Sequence, residues 1–181
     1  MSIDPRSLKA PDPAQWDEYD KPRPMVPAGR MSLQAPDKFT IEGDDDGVLK
    51  VLLGTVKIVE APVGWKDQIG FERLNSRPRA TGRMKGTSRL TDYLRACGVG
   101  PVRSTDPEDW IQAIESTSGS FFEAFVDWRA WDSETSEEVA GSYADFPDDG
   151  EGGKLNYIVN SKTGKRVAAQ YRIRYYVTRR S

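Results

Sequence analysis

The chain has 181 residues, 37% hydrophobic and 30% charged, with a formal net charge of −2, a balance that suits one domain with a real core and a generous polar surface. It contains no histidine and one cysteine, Cys97, which removes the usual neutral-pH acid–base group, the commonest metal ligand, an internal disulfide and any thiolate cluster for zinc. No apolar run approaches the ~20 residues of a membrane span, and Met1-Ser-Ile-Asp-Pro-Arg lacks the apolar stretch of a signal peptide, so a reducing cytoplasm is the expected setting.

Residues 1–28 hold Pro5, Pro11, Pro13, Pro22, Pro24 and Pro27. Proline lacks the donor a ladder needs, so this stretch reads as an extended or disordered arm, with Trp16 and Tyr19 available to pin it. A single domain is expected over 29–181. Short strands are predicted at Arg30–Leu33 and Lys38–Ile41. A turn at Gly43–Gly47 leads into strands at Val48–Leu53 and Thr55–Val59, with another at Ile69–Leu74. Residues 75–88 contain nothing that builds a core and read as a mobile basic loop.

Two short helices follow. Leu90, Tyr93, Leu94 and Cys97 form one apolar stripe, with Ser88 as cap and Gly98 as stop. Cys97 therefore reads as a small core residue, not a reactive thiol. Thr105-Asp106-Pro107-Glu108 opens the second helix, with Trp110, Ile111, Ala113 and Ile114 on its buried side. Phe121–Trp131 is a long strand. Phe122, Ala124, Val126, Trp128 and Ala130 share its core face, while Phe121, Glu123, Phe125, Asp127, Arg129 and Trp131 share the other. Residues 132–153 read as an exposed acidic excursion. Leu155–Val159, a turn at Asn160–Gly164 and a terminal strand from Arg166 to Val177 complete the chain. Strict alternation in that last strand puts Tyr171, Ile173, Tyr175 and Val177 on one face, and Arg172, Arg174 and Tyr176 on the other.

The small net charge conceals segregation. Residues 71–103 carry 8 basic and 2 acidic side chains, 104–153 carry 1 and 14, and 154–181 carry 8 and 0. Such blocks either cancel against each other in the fold or project local fields toward a partner. The candidates for a phosphate-binding surface are Arg73, Arg77, Arg79, Arg83, Lys85 and Arg89 around the basic loop, with Arg172 and Arg174 beside the Tyr176 ring. Guanidinium groups pair with phosphate and stack on bases, and aromatic rings offer a π-face to any base.

Carboxylates are plentiful at Asp44, Asp45, Asp46, Asp145, Asp148 and Asp149, but they lie in turns without spaced partners. Asp44-x-Asp46-Gly47 lacks the continuation to the glutamate of a calcium loop. Phosphate-binding, dinucleotide and nucleophile-elbow motifs are absent from the sequence. No enzymatic activity, no metal and no cofactor is expected.

The order of elements, with the words Leu90-Thr91-Asp92-Tyr93-Leu94-Arg95-Ala96-Cys97-Gly98-Val99 and Gly119-Ser120-Phe121-Phe122-Glu123-Ala124-Phe125-Val126-Asp127-Trp128, resembles phage-type single-stranded DNA-binding proteins of replication and recombination. The resemblance covers roughly residues 28–178 and implies a mainly β chain with two short α-helices, built as an OB-like β-barrel. It also implies sequence-tolerant binding of single-stranded DNA, with Phe125 and Trp131 joining the cations named above. The acidic excursion departs from the pattern; it would compete with DNA or recruit replication or recombination proteins. The rival reading is a phage-encoded protein-interaction module, an inhibitor or adaptor without nucleic-acid binding. A homo-oligomer fits either reading, and a membrane neither.

Overall fold

The computed structural model describes residues 25–59 and 69–178, with backbone alone at Thr55, Ile69, Gly70 and Phe71. Most of the proline-rich arm, Trp16 and Tyr19 included, lies outside the described residues. Its last residues are part of the body: Met25 is buried, and the Val26 carbonyl accepts a bond from Trp128 Nε1 at 2.6 Å.

Nine strands form among the described residues, in chain order, β1 (Gly29–Gln34), β2 (Phe39–Gly43), β3 (Leu49–Ile58), β4 (Ile69–Asn75), β5 (Phe121–Asp132), β6 (Glu137–Ala140), β7 (Tyr157–Val159), β8 (Arg166–Ala168) and β9 (Gln170–Val177). Helices α1 (Arg89–Ala96) and α2 (Pro107–Glu115) lie between β4 and β5. The main sheet runs β2-β3-β1-β5-β6, with β4 on β3 and β9 on β5, all antiparallel. β7 and β8 make a separate two-stranded ribbon. The expected mainly β fold with two short helices is present, but the sheet curls into a half-barrel and does not close.

The opening lies between β4 and β9, which come side by side without exchanging ladder bonds. Side chains cross it. Arg89, at the start of α1, donates to buried Glu72 of β4 through Nε (2.6 Å) and to the Ile173 carbonyl of β9 through NH2 (2.7 Å). The Tyr176 hydroxyl donates to the same Glu72 carboxylate at 3.1 Å.

Local chemistry explains the elements. The Ser88 hydroxyl accepts from Thr91 N at the start of α1, and Asp106 accepts from Glu108 N at the start of α2 with Pro107 in the first turn, each bond satisfying a donor the helix leaves free. Asp106 is thus the cap. Leu90, Tyr93 and Leu94 face the core as their spacing predicts; of the second helix's expected stripe, Ile114 alone is fully buried. Phe122, Ala124, Val126, Trp128 and Ala130 of β5 are all buried. Phe122 packs with Tyr93 and Tyr176 in a triangle of rings with centroids 5.6–5.7 Å apart.

Two strands depart from strict alternation. β3 is one strand, not two, and its register shifts around Gly54. Leu53 and Val56 thus both face inward, and Lys57 faces out. A Cβ on Gly54 would sit 3.1 Å from the Lys38 carbonyl, so the close passage of the β1–β2 connection over β3 requires glycine there. In β9, Phe125 pairs with Tyr175 but the adjacent Val126 pairs with Ile173. Arg174 is the extra residue of a bulge, and a bulge exchanges the faces of everything beyond it. Tyr176 is therefore buried and Tyr175 exposed, correcting the face assigned to both by alternation. The expected Arg166–Val177 strand is also broken at Ala169, whose N–H turns to the Asn156 carbonyl.

Residues 132–153 are ordered against the sheet. β6 returns along β5, and a 3-10 turn at Tyr143–Asp145 is held by the Asp145 carboxylate, which accepts from the N–H groups of Gly141 and Ser142. The basic loop is likewise tied: Arg79 N donates to the Thr87 carbonyl and Gly86 N to the Arg79 carbonyl. Among the described residues no helix is long and apolar enough to cross a membrane.

Candidate nucleic-acid interface

The predicted cations do not converge. Arg77 reaches back to the β2–β3 turn, donating to Asp44 at 2.6 Å and also to Asp46. Its guanidinium holds the Asp44 carboxyl down at about 2. Arg79 pairs with buried Asp92 at 2.7 Å, and Arg89 with Glu72. Arg172 pairs with Glu138 at 2.8 Å and Arg174 with buried Asp127 at 3.1 Å, while both donate to the Gly141 carbonyl. Arg77 and the Arg172–Arg174 pair thus engage turns at opposite ends of the β2-β3-β1-β5-β6 path. Arg83 and Lys85, at the tip of the basic loop, and Arg73, on β4, are exposed with no ion pair among the described residues. Tyr176 belongs to the core. Trp131 is exposed near β6, about 20 Å along β5 from Phe125.

A different grouping emerges on the solvent face of the sheet, set by cross-strand register. One row is Arg30–Phe125–Tyr175, across β1, β5 and β9. The Phe125 and Tyr175 rings stack, with centroids 5.2 Å apart and planes within 12°. A second row is Lys57–Gln34–Phe121, across β3, β1 and β5. A third, Thr40–Leu52–Arg73, crosses β2, β3 and β4. Phe121 is 59% exposed and Tyr175 56%. Lys57 and Arg73 extend from the same face, and Arg30 reaches across to Glu123 at 2.5 Å while most of its side chain stays in water. Phe121 and Phe125 lie four residues or about 13 Å apart along β5, with the Glu123 carboxylate, paired to Arg30, between them on the same face, and Lys57 stands across Gln34 from Phe121.

Of the sequence-predicted residues, this face gathers Arg73 and Phe125. It adds Arg30, Lys57, Phe121 and Tyr175. Phe121 was legible as an outward ring of β5. Tyr175 was hidden by the bulge, and Arg30 and Lys57 by the lack of any local signal for which strands would pair.

Among the described residues no group of three or more Cys, Asp or Glu side chains is arranged to hold a metal ion. The Asp44–Asp46 turn is occupied by its own backbone N–H groups and by Arg77. No family model, curated protein or solved structure matches the chain.

Proposed function

We propose that this protein binds single-stranded DNA without strong sequence preference, on the solvent face of β1, β5 and β9 and not through the basic loop. The observation that carries this reading is the exposure of Phe121 and the stacked Phe125–Tyr175 pair on one face, next to Arg30 and Lys57. Large rings left in water on adjacent strands forgo burial that would stabilise the fold. A base stacked on such a ring regains it, at about 1–3 kcal/mol per base, and does so whatever the base. The flanking cations supply phosphate contacts and counterion release. Duplex DNA keeps its base faces inside the stack and gains only the second term. The resemblance in layout and in the words around Leu90 and Phe121 points the same way.

Fluorescence anisotropy with a labelled oligothymidylate across a salt series tests this. Affinity is expected to fall steeply with salt, to exceed that for duplex, and to drop about 5- to 150-fold when Phe121→Ala or Tyr175→Ala removes a stacking partner. Absence of binding by the folded protein at low salt overturns the reading.

A second reading is favoured by a specific observation. Five of the predicted cations are engaged by the chain's own carboxylates, and the exposed rings also suit an aromatic anchor in a protein interface. A partner retained after nuclease treatment, and lost with Tyr175→Ala, would support an interaction module in its place.

A further inference from the structure

We infer that the cleft at the β1–β2 corner is a nucleotide subsite that extends the aromatic face, an inference that rests on the single-strand-binding reading. The cleft has a volume of about 920 Å³, within the ~300–1,000 Å³ of small-ligand sites. The chain leaves β1 at Gln34, rests on Gly54 through the Lys38 carbonyl and enters β2 at Phe39, and this connection forms part of the cleft's lining. Ala35, Pro36, Phe39 and Leu52 give it apolar surface, and Lys38 and Lys57 line it as well. Both lysines are exposed and without an ion pair among the described residues.

Two of the polar side chains in the lining carry bonds within the protein. Gln34 Nε2 donates to the Gly119 carbonyl at 3.2 Å, and Asp37 accepts from the Ser118 hydroxyl at 2.7 Å. Two ammonium groups and the Asp37 carboxylate, a formal net charge of +1, beside an apolar surface are what the cleft offers an incoming ligand. That combination fits a flat ring carrying an anionic group, the chemistry of one nucleotide.

Continuity makes the nucleotide part of a strand. Gln34 and Lys57 belong both to the cleft lining and to the row that ends at Phe121. A strand stacked on Tyr175, Phe125 and Phe121 that continues past Phe121 meets the cleft next.

The test is a graded length series of oligothymidylates titrated against the wild type and against Lys38→Ala, which alters the cleft and leaves Lys57 of the aromatic face in place, with thermal melting to verify that the variant is folded. For the wild type, affinity should step up about tenfold once the oligomer is long enough to pass Phe121. In the variant that step should largely disappear, the salt slope for long oligomers should shrink by about one, and the shortest binding oligomers should be held as in the wild type. An identical step in both proteins overturns the subsite while leaving the aromatic face intact. Equal weakening at every length also overturns it, since Lys38 would then act only as general charge. No wild-type binding at any length overturns both the subsite and the function on which it rests.

Discussion

Arg89 illustrates how a residue that looks available to phosphate in the sequence becomes structural in the fold. It opens α1, where the helix meets the unlaced gap between β4 and β9, and holds a carboxylate on one strand and a carbonyl on the other. Its guanidinium also lies over the Tyr176 ring, 5.3 Å from the centroid. Glu72 is buried, and desolvation raises its pKa above the usual carboxylate range against the pull of Arg89. Removing one partner of a buried pair leaves the other charge uncompensated. Arg89→Met is therefore expected to cost about 3–5 kcal/mol at neutral pH. The sign of the pH dependence follows from the raised pKa. A carboxyl that titrates higher in the folded state favours folding at low pH, and that contribution is lost as pH rises through the folded value. The penalty of Arg89→Met should thus shrink as pH is lowered toward 4.5, the ordinary value for glutamate. Chemical denaturation of both proteins at several pH values measures it; a penalty independent of pH would mean that Glu72 is not carrying the charge. Cys97 gives a simpler case. Its stripe position made it a core residue in the sequence, and in the fold burial pushes its thiol up to about 12, which keeps it protonated at neutral pH.

At the scale of elements, the hairpin of β5 and β6 with its 3-10 turn is fastened by β9. The Gly141 carbonyl accepts from both Arg172 and Arg174, whose guanidinium groups also reach Glu138 and Asp127. These arginines organise backbone that would otherwise be an acidic loop. Their joint replacement by alanine is expected to destabilise the protein by about 1–3 kcal/mol, the range for leaving a buried acceptor unsatisfied. Affinity for an oligothymidylate at constant salt should stay within about twofold, because neither residue belongs to the aromatic rows. A large loss of affinity with unchanged melting would restore them to the binding surface. The same element shows what the sequence could and could not reveal. The helices were legible because a 3.6-residue stripe between Ser88 and Gly98 has few other solutions. The β5 core face was legible because five small and large apolar residues alternate without interruption. The β9 face was not, since a bulge is the choice of a strand and its partner together: nothing in Ile-Arg-Tyr-Tyr says that Arg174 will be the extra residue. The candidate site suffered most, because a sheet face is assembled from strands distant in sequence, whereas a run of arginines is visible at once.

At the scale of the whole molecule, the charge blocks of the sequence largely answer one another. Lys154, Lys162, Lys165, Arg172 and Arg174, from the basic C-terminal block, pair with Asp148, Glu137, Glu134, Glu138 and Asp127 of the acidic block. Charge that looked like a pair of opposed external fields is therefore spent inside one half of the fold. Exposed cations with no ion pair among the described residues fall on both sides of this division: Lys38, Lys57, Arg73, Arg83 and Lys85 between β1 and the basic loop, and Arg95, Arg103 and Arg166 beyond it. This arrangement sets the acid stability. Asp44, Asp132, Asp145 and Asp149 all have carboxyls held below the usual value of 3.8. Arg77 lowers Asp44, an Asn160 amide lowers Asp132, and backbone N–H groups of Gly141 and Glu151 lower Asp145 and Asp149. A carboxyl that titrates lower in the folded state contributes stability above its unfolded pKa, and that stability is lost as pH falls through the folded value. Glu72 acts in the opposite direction, but it is one group against four, and each of the four ties a turn or hairpin to its neighbours. The thermal midpoint should therefore hold steady down to about pH 4 and then fall as pH drops toward 2. The Arg77–Asp44 tether between the basic loop and the β2–β3 turn should be among the last to let go, since Asp44 titrates at about 2. A midpoint that rises on acidification below pH 4 would show that relief of the buried Glu72 charge outweighs all four carboxylate tethers, and that the opposed charge blocks contribute little to holding the molecule together.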